Sequence, residues 1–130
     1  MSNLSIVQSF YEGTVEERGE KLASSVSPEV VWQESEGYLY GGRYVGLQEV
    51  FEGVFLRQAT EWTGFRSEAE EFVAQDNSVI ALGFYEGTHN ETQRSFRARF
   101  AHHWTLKEGK VVRFVQYVDS HTVWKAAHSS

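Results

Sequence analysis

The sequence predicts an α+β fold, with helices gathered early in the chain lying on one side of a mainly antiparallel sheet formed late. Three observations carry this prediction. Up to Thr60, apolar residues recur at i, i+3, i+4 in three separate segments, which is the helical period. From Phe65 to Asp119 the pattern changes to four strand-like runs separated by short polar turns. The last two runs flank Lys107-Glu108-Gly109-Lys110 and contain no proline, the mark of a hairpin. Helices in one block and strands in another point to α+β rather than an alternating α/β chain.

Each element has a local reason. Leu4, Ile6, Val7, Phe10 and Tyr11 share one side of a first helix, which Ser2 or Asn3 can cap and Gly13 can end. A second helix is predicted over Val15 to Ser25, with Val15, Leu22, Ala23 and Val26 apolar and Glu16, Glu17, Arg18, Glu20 and Lys21 on a solvated face. Ser27-Pro28 stops it, because a residue before proline is driven towards extended backbone. Val30 to Glu34 reads as a strand. Glu36 to Gly46 reads as a loop with turns; its four glycines match the spacing of neither a P-loop nor a dinucleotide fingerprint. Leu47, Val50, Phe51, Val54 and Phe55 mark a third helix running towards Thr60. The strands are expected at Phe65–Ala74, Val79–His89, Arg94–Leu106 and Val111–Asp119, with turns at Asp76-Asn77 and Asn90-Glu91-Thr92. A short terminal helix carries Val123, Trp124 and Ala127, capped by Asp119 or Ser120.

Composition narrows the function. A chain of 130 residues without repeats or linkers suits one domain over 1–130. The net charge of −6, with no Lys/Arg cluster, argues against nucleic acid and anionic membrane as partners. There is no cysteine, so disulfides, thiolate catalysis and zinc-thiolate sites are excluded. The first residues lack the basic and apolar regions of a secretory signal, and no apolar run approaches the roughly 18 residues of a membrane span, so a cytoplasmic location is expected. Adjacent strand residues His102 and His103 point to opposite faces, and His89, His121 and His128 show no ligand spacing, so neither metal nor cofactor is expected. With 15% aromatic residues, the domain is rich enough in large flat side chains to enclose a cavity.

The final hairpin supplies a wall for that cavity. A turn through Leu106-Lys107-Glu108-Gly109 with a glycine bulge would pair Trp104 with Val112, His102 with Phe114 and Phe100 with Gln116. One face then carries Phe100, His102, Trp104, Phe114 and Gln116: bulky apolar walls with two hydrogen-bonding groups, as a small-molecule pocket requires. The other face carries Ala101, His103, Thr105, Arg113, Val115 and Tyr117 and would suit a subunit interface. A two-residue turn at Glu108-Gly109 would instead pair His102 with Val115.

Taken together, Ile6-Val7-Gln8-Ser9-Phe10-Tyr11, Val31-Trp32, Gly41-Gly42-Arg43-Tyr44-Val45-Gly46, His102-His103-Trp104-Thr105, Gly109 to Phe114 and Tyr117-Val118-Asp119 resemble the nuclear-transport-factor-2-like superfamily, and within it the SnoaL-like, ketosteroid-isomerase-related branch. The resemblance implies a cone-shaped α+β barrel whose strongly curved sheet holds the N-terminal helices on its concave face, and a homodimer. It places Glu34 in the segment of a general-base carboxylate, and His102 at an oxyanion-hole position in isomerases or a pocket histidine in cyclases. It also implies departures. The isomerase tyrosine of the first helix falls on Phe10, leaving Tyr11 or Tyr85 to replace it. Gln116 stands where cyclases and epoxide hydrolases carry an acid.

Three readings follow. The first is a cofactor-independent isomerase or cyclase acting on an apolar carbonyl compound, with Glu34 as base, His102 as hydrogen-bond donor, and Tyr11, Trp32, Tyr85, Phe100, Trp104, Phe114 and Gln116 around the substrate. The second is a non-catalytic domain binding a small hydrophobic ligand. The third is a dimeric interaction module with a filled interior.

Overall fold

The computed structural model describes residues 2–128. Helices α1 (Asn3–Ser9) and α2 (Val15–Ser25) lead into strand β1 (Val26–Glu34) and the short strand β2 (Gly42–Val45). Helix α3 (Leu47–Val50), a π-helical turn (Phe51–Phe55) and α4 (Leu56–Glu61) follow without a break. Strands β3 (Trp62–Gln75), β4 (Ser78–His89), β5 (Ser95–Lys107) and β6 (Lys110–Val118) come next, then α5 (Ser120–Ala127).

Local chemistry explains the boundaries. The Ser2 hydroxyl caps α1, and Thr14 and Glu17 form a reciprocal capping box on α2. Asp119, the first of the two expected candidates, caps α5 by accepting from the Thr122 N–H. Gly19 lies inside α2, where an added Cβ would meet nothing within 4 Å. Gly19→Ala should therefore stabilise the protein by about 1 kcal/mol, through helix propensity alone. A urea midpoint unchanged or lowered in that variant would show that α2 is not held as described.

The sheet has the order β2-β1-β6-β5-β4-β3. β3 to β6 form an antiparallel meander, β1 pairs parallel with β6, and β2 closes one edge antiparallel to β1. The sheet curves around the helices to give the expected cone, but β2 and β3 are both edges, so the cone is unclosed. Strand β2 lies inside the segment read as loop. Its four residues are flanked by glycines, too short to show alternation, and only pairing with Val31 to Glu34 makes them a strand. β1 starts earlier than expected and runs through Pro28. Proline is tolerated there because pairing with β6 skips from Val26 to Val31.

The register of the final hairpin corrects the sequence expectation. The turn is the two-residue Glu108-Gly109 alternative, both residues at positive φ, with Lys107 opposite Lys110. An irregularity between Thr105 and Leu106 then shifts the pairing by one more residue. His102 faces Gln116 and Trp104 faces Phe114. The total shift from the first expected register is two residues, one full side-chain period. Phe100, His102, Trp104, Phe114 and Gln116 therefore still share the buried face.

Candidate functional site

A cavity of about 810 Å³ lies between the concave face of the sheet and the helices. Trp32, Glu34, Tyr85, His102, Trp104 and Phe114 line it from the sheet. Phe10, Tyr11, Leu22, Phe51, Val54 and Phe55 line it from the helical side. The π-helical turn contributes the last three. Gly53, in the same turn, packs against the Tyr44 ring, where a Cβ would come within 2.2 Å of Cε1. Gly13, Thr14, Val15, Arg18 and Gly19, and the run from Gly64 to Glu68, border the same space. Arg18 spans these two segments, donating from Nε to the Gly13 carbonyl and from a terminal nitrogen to the Ser67 carbonyl at 2.9 Å.

Glu34 ends β1 and points into this interior, only 2% exposed. Its Oε2 accepts from the Trp32 indole N–H at 3.0 Å. Among the described residues no cation pairs with it, so burial in an aromatic wall disfavours the carboxylate and pushes its pKa up to about 8, with the Trp32 hydrogen bond opposing the rise. The group is thus largely a neutral acid at pH 7, with a base form within reach. Trp32 is itself held flat against Phe114, ring centroids 4.0 Å apart.

His102 is buried on β5, stacked on Phe100 with centroids 3.8 Å apart and rings nearly parallel. Both its nitrogens are engaged: Nδ1 meets the Tyr11 hydroxyl and Nε2 the Tyr85 hydroxyl, each at 2.6 Å. Burial pushes its pKa down to about 3, so the ring is neutral at physiological pH. Behind the tyrosines stand two further donors. The Trp104 indole N–H reaches the Tyr11 oxygen at 2.9 Å, and the Gln116 amide reaches the Tyr85 oxygen at 2.9 Å. Burial raises the pKa of both phenols, keeping them neutral donors.

The expected site residues thus divide into two groups. Glu34, His102, Tyr11, Trp32, Tyr85, Trp104 and Phe114 converge on one cavity. Gln116 and Phe100 stand behind it: Gln116 is 1% exposed and hydrogen-bonded through both ends of its amide, while Phe100 supports the imidazole and borders a separate hollow of about 450 Å³ with Leu82, Gly83, Phe84 and Arg97. His102 has no nitrogen left for a ligand, so any donation from this cluster passes to the tyrosine hydroxyls. Tyr11 reaches the histidine although Phe10 is the residue buried against Trp104. Sequence reasoning missed Ser35, which fixes Gln116 by donating its N–H to Oε1 and its hydroxyl to the Gln116 carbonyl. It also missed Gln58 and Arg18 on the cavity wall. Only the position of Ser35 beside Glu34 offered any signal. Among the described residues, no group of three or more His, Asp or Glu side chains converges as a metal site. No helix among them is long and apolar enough to cross a membrane.

Comparison with known proteins agrees with this architecture. Residues 7–114 match the SnoaL-like domain. No curated protein matches the chain. Among solved structures, an NTF2-like protein from Burkholderia thailandensis E264 is 29% identical with a TM-score of 0.93, covering 99% of both chains. TerC, co-crystallised with polyporic acid, is 25% identical with a TM-score of 0.84, covering 98% of both. A putative SnoaL-like polyketide cyclase from Jannaschia sp. CCS1 shares the fold at a TM-score of 0.81 and 11% identity, covering 98% of this chain and 93% of its own. With the curved sheet, the helices packed into it and the match over most of its length, this chain belongs to the SnoaL-like family of the NTF2-like superfamily.

Proposed function

We propose that the protein is a cofactor-independent isomerase or cyclase that moves a proton next to a carbonyl group of an apolar small molecule. The observation that carries this reading is the pairing, in one aromatic cavity, of a buried carboxyl that has no cation partner among the described residues with neutral tyrosine hydroxyls. In its ionised form Glu34 takes a proton from the carbon beside the carbonyl: the C–H bond breaks and its electron pair flows to the oxygen, giving an enolate. A tyrosine hydroxyl, Tyr11 or Tyr85, donates a hydrogen bond to that oxygen. The enolate is then quenched in one of two ways: the proton returns from Glu34 to another carbon, or the enolate carbon attacks a second carbonyl of the same molecule, whose C=O π bond breaks and whose oxygen takes the proton from Glu34. His102 acts through the tyrosines, as a positioning residue. The chemistry has the logic of ketosteroid isomerases, a carboxylate base beside neutral hydrogen-bond donors.

The test is proton exchange. Incubated with simple apolar ketones in D₂O, the protein should incorporate deuterium beside the carbonyl, at a rate that rises with pH, is half-maximal at about pH 8 where Glu34 is half ionised, and levels roughly two units higher. No exchange above the buffer rate for any ketone that binds would sink the enzymatic reading. One observation favours a binding role instead: with a pKa of about 8, only roughly one Glu34 in ten is ionised at pH 7. Retention of polyporic acid, with which TerC was co-crystallised, or of an apolar ketone, without any exchange would select that alternative.

The outer face of the hairpin supports a homodimer. It presents Ala101, Val115 and Tyr117, with Tyr117 58% exposed. A second copy covering this face would remove that apolar surface from water. Light scattering should give twice the chain mass at micromolar concentration, and Tyr117→Glu should return the monomer. A wild-type monomer would end this part of the proposal.

A further inference from the structure

The cluster around His102 can be counted proton by proton. An indole N–H only donates, so Trp104 gives one bond to the Tyr11 oxygen. The Gln116 amide cannot be reversed, because its Oε1 accepts from the Ser35 N–H at 3.0 Å; its nitrogen therefore gives one bond to the Tyr85 oxygen. Each phenol oxygen already accepts from a donor of fixed sense, and each also meets a nitrogen of His102 at 2.6 Å. A neutral imidazole has one N–H and one lone pair. It must donate to one tyrosine and accept from the other. The tyrosine that donates spends its proton on the ring. The tyrosine that accepts keeps its own proton, and among the described residues no acceptor meets its hydroxyl.

We propose that the Tyr11–His102–Tyr85 array holds one uncommitted hydroxyl proton, that the tautomer of His102 decides which tyrosine presents it, and that this proton is the donor with which the cavity meets a carbonyl-type oxygen. With Nδ1 protonated, Tyr85 donates to Nε2 and Tyr11 presents the free O–H. With Nε2 protonated, Tyr11 donates to Nδ1 and Tyr85 presents it. Both hydroxyls belong to cavity-lining residues. The site thus offers a single neutral donor at either of two places, and no heavy atom has to move to relocate it: one N–H bond of His102 breaks, an N–H bond forms at the other ring nitrogen by exchange with water, and two hydroxyls rotate. A ligand with one acceptor oxygen can be held at either end, whereas one needing two simultaneous donors from this array cannot be satisfied. Burial of His102 supports the count by disfavouring the imidazolium, which would donate to both tyrosines and free two protons. The count holds whether or not Glu34 acts as a base, so it stands apart from the catalytic reading.

The test is the tautomer itself, read without any ligand. In protein labelled with ¹⁵N-histidine, long-range ¹H–¹⁵N spectra distinguish Nδ1–H, Nε2–H and imidazolium. His102 can be assigned by its ring contact with Phe100. At pH 7 the wild type should show a neutral ring. A buried N–H without an acceptor is rarer, and so costlier, than a lone pair without a donor, so the proton should follow the remaining tyrosine. Tyr11→Phe should therefore give the Nε2–H form, and Tyr85→Phe the Nδ1–H form. A cationic His102 in the wild type would overturn the proposal. So would the same tautomer in both variants. The wild-type spectrum alone tests the proton count if either variant fails to fold.

Discussion

Glu34→Gln should reduce deuterium exchange beside a carbonyl by about 10²- to 10⁴-fold, the usual contribution of a positioned general base. The same substitution should stabilise the protein at alkaline pH. The folded pKa of Glu34, about 8, lies above its ordinary value of 4.5. Stability linked to its protonated form is therefore complete below pH 4.5 and is lost as pH rises to about 8, because over that range the unfolded chain releases a proton that the folded chain keeps. Gln cannot ionise and removes this loss, so at pH 8 to 9 the variant should gain a few kcal/mol over wild type. His102 acts with the opposite sign. Its folded pKa, about 3, lies below the ordinary 6.5, so stability is complete above pH 6.5 and falls as pH drops towards 3. Between pH 4.5 and 6.5 the two slopes cancel, and the contribution of this pair is greatest there. Urea midpoints measured from pH 4 to 9 should show Glu34→Gln losing the alkaline limb while keeping the acid limb. A variant that tracks wild type up to pH 9 would mean that Glu34 is not held as a buried neutral acid.

Gly83→Ala should destabilise the fold by about 3 kcal/mol, at the upper end of overpacking in a core. Gly83 lies in the middle of β4 opposite Ala69, beside the irregularity between Ala69 and Glu71 in β3. There the β3 backbone leans over β4 so closely that a Cβ on Gly83 would come 1.8 Å from the Glu68 carbonyl oxygen and 2.8 Å from its carbon. The obstacle is backbone on the neighbouring strand, not the end of a flexible side chain, so relief requires β3 to move. β3 carries Gly64 to Glu68 on the cavity border, and the Ser67 carbonyl that receives Arg18. The substitution should therefore loosen the link between α2 and the sheet as well as lower the urea midpoint. A midpoint equal to wild type would show that the close approach of β3 to β4 is not present in solution. Gly19→Ala provides the contrast, a methyl group added where nothing stands in its way.

How far the chain could be read in advance depended on whether a feature is local or long-range. Helix α2 came out at Val15–Ser25 because its period and the Ser27-Pro28 stop are contained in neighbouring residues. The four long strands were legible from alternation and turn residues. β2 was not, because four residues between glycines carry no period. The hairpin register was misread because a bulge inserts a residue without leaving a mark in composition. Even so, the inward face was read correctly, since the error amounted to a whole side-chain period.

The site divides along the same line. Helical period and strand alternation were enough to give an α+β class, an aromatic interior and a wall on which His102, Trp104 and Phe114 lie together, because alternation follows from covalent geometry; the cone shape came from the family resemblance. Only the tertiary structure decided what each polar group does. Tyr11 and Tyr85 stand 91 and 17 positions from His102 along the chain, and Ser35 stands 81 positions from Gln116. Hydrogen bonds over such separations arise when a curved sheet closes around a helix, and no local pattern encodes them. The tertiary structure also decided the charge of Glu34: a carboxyl takes its pKa from the water and cations that surround it, and those are set by burial, not by neighbours in sequence.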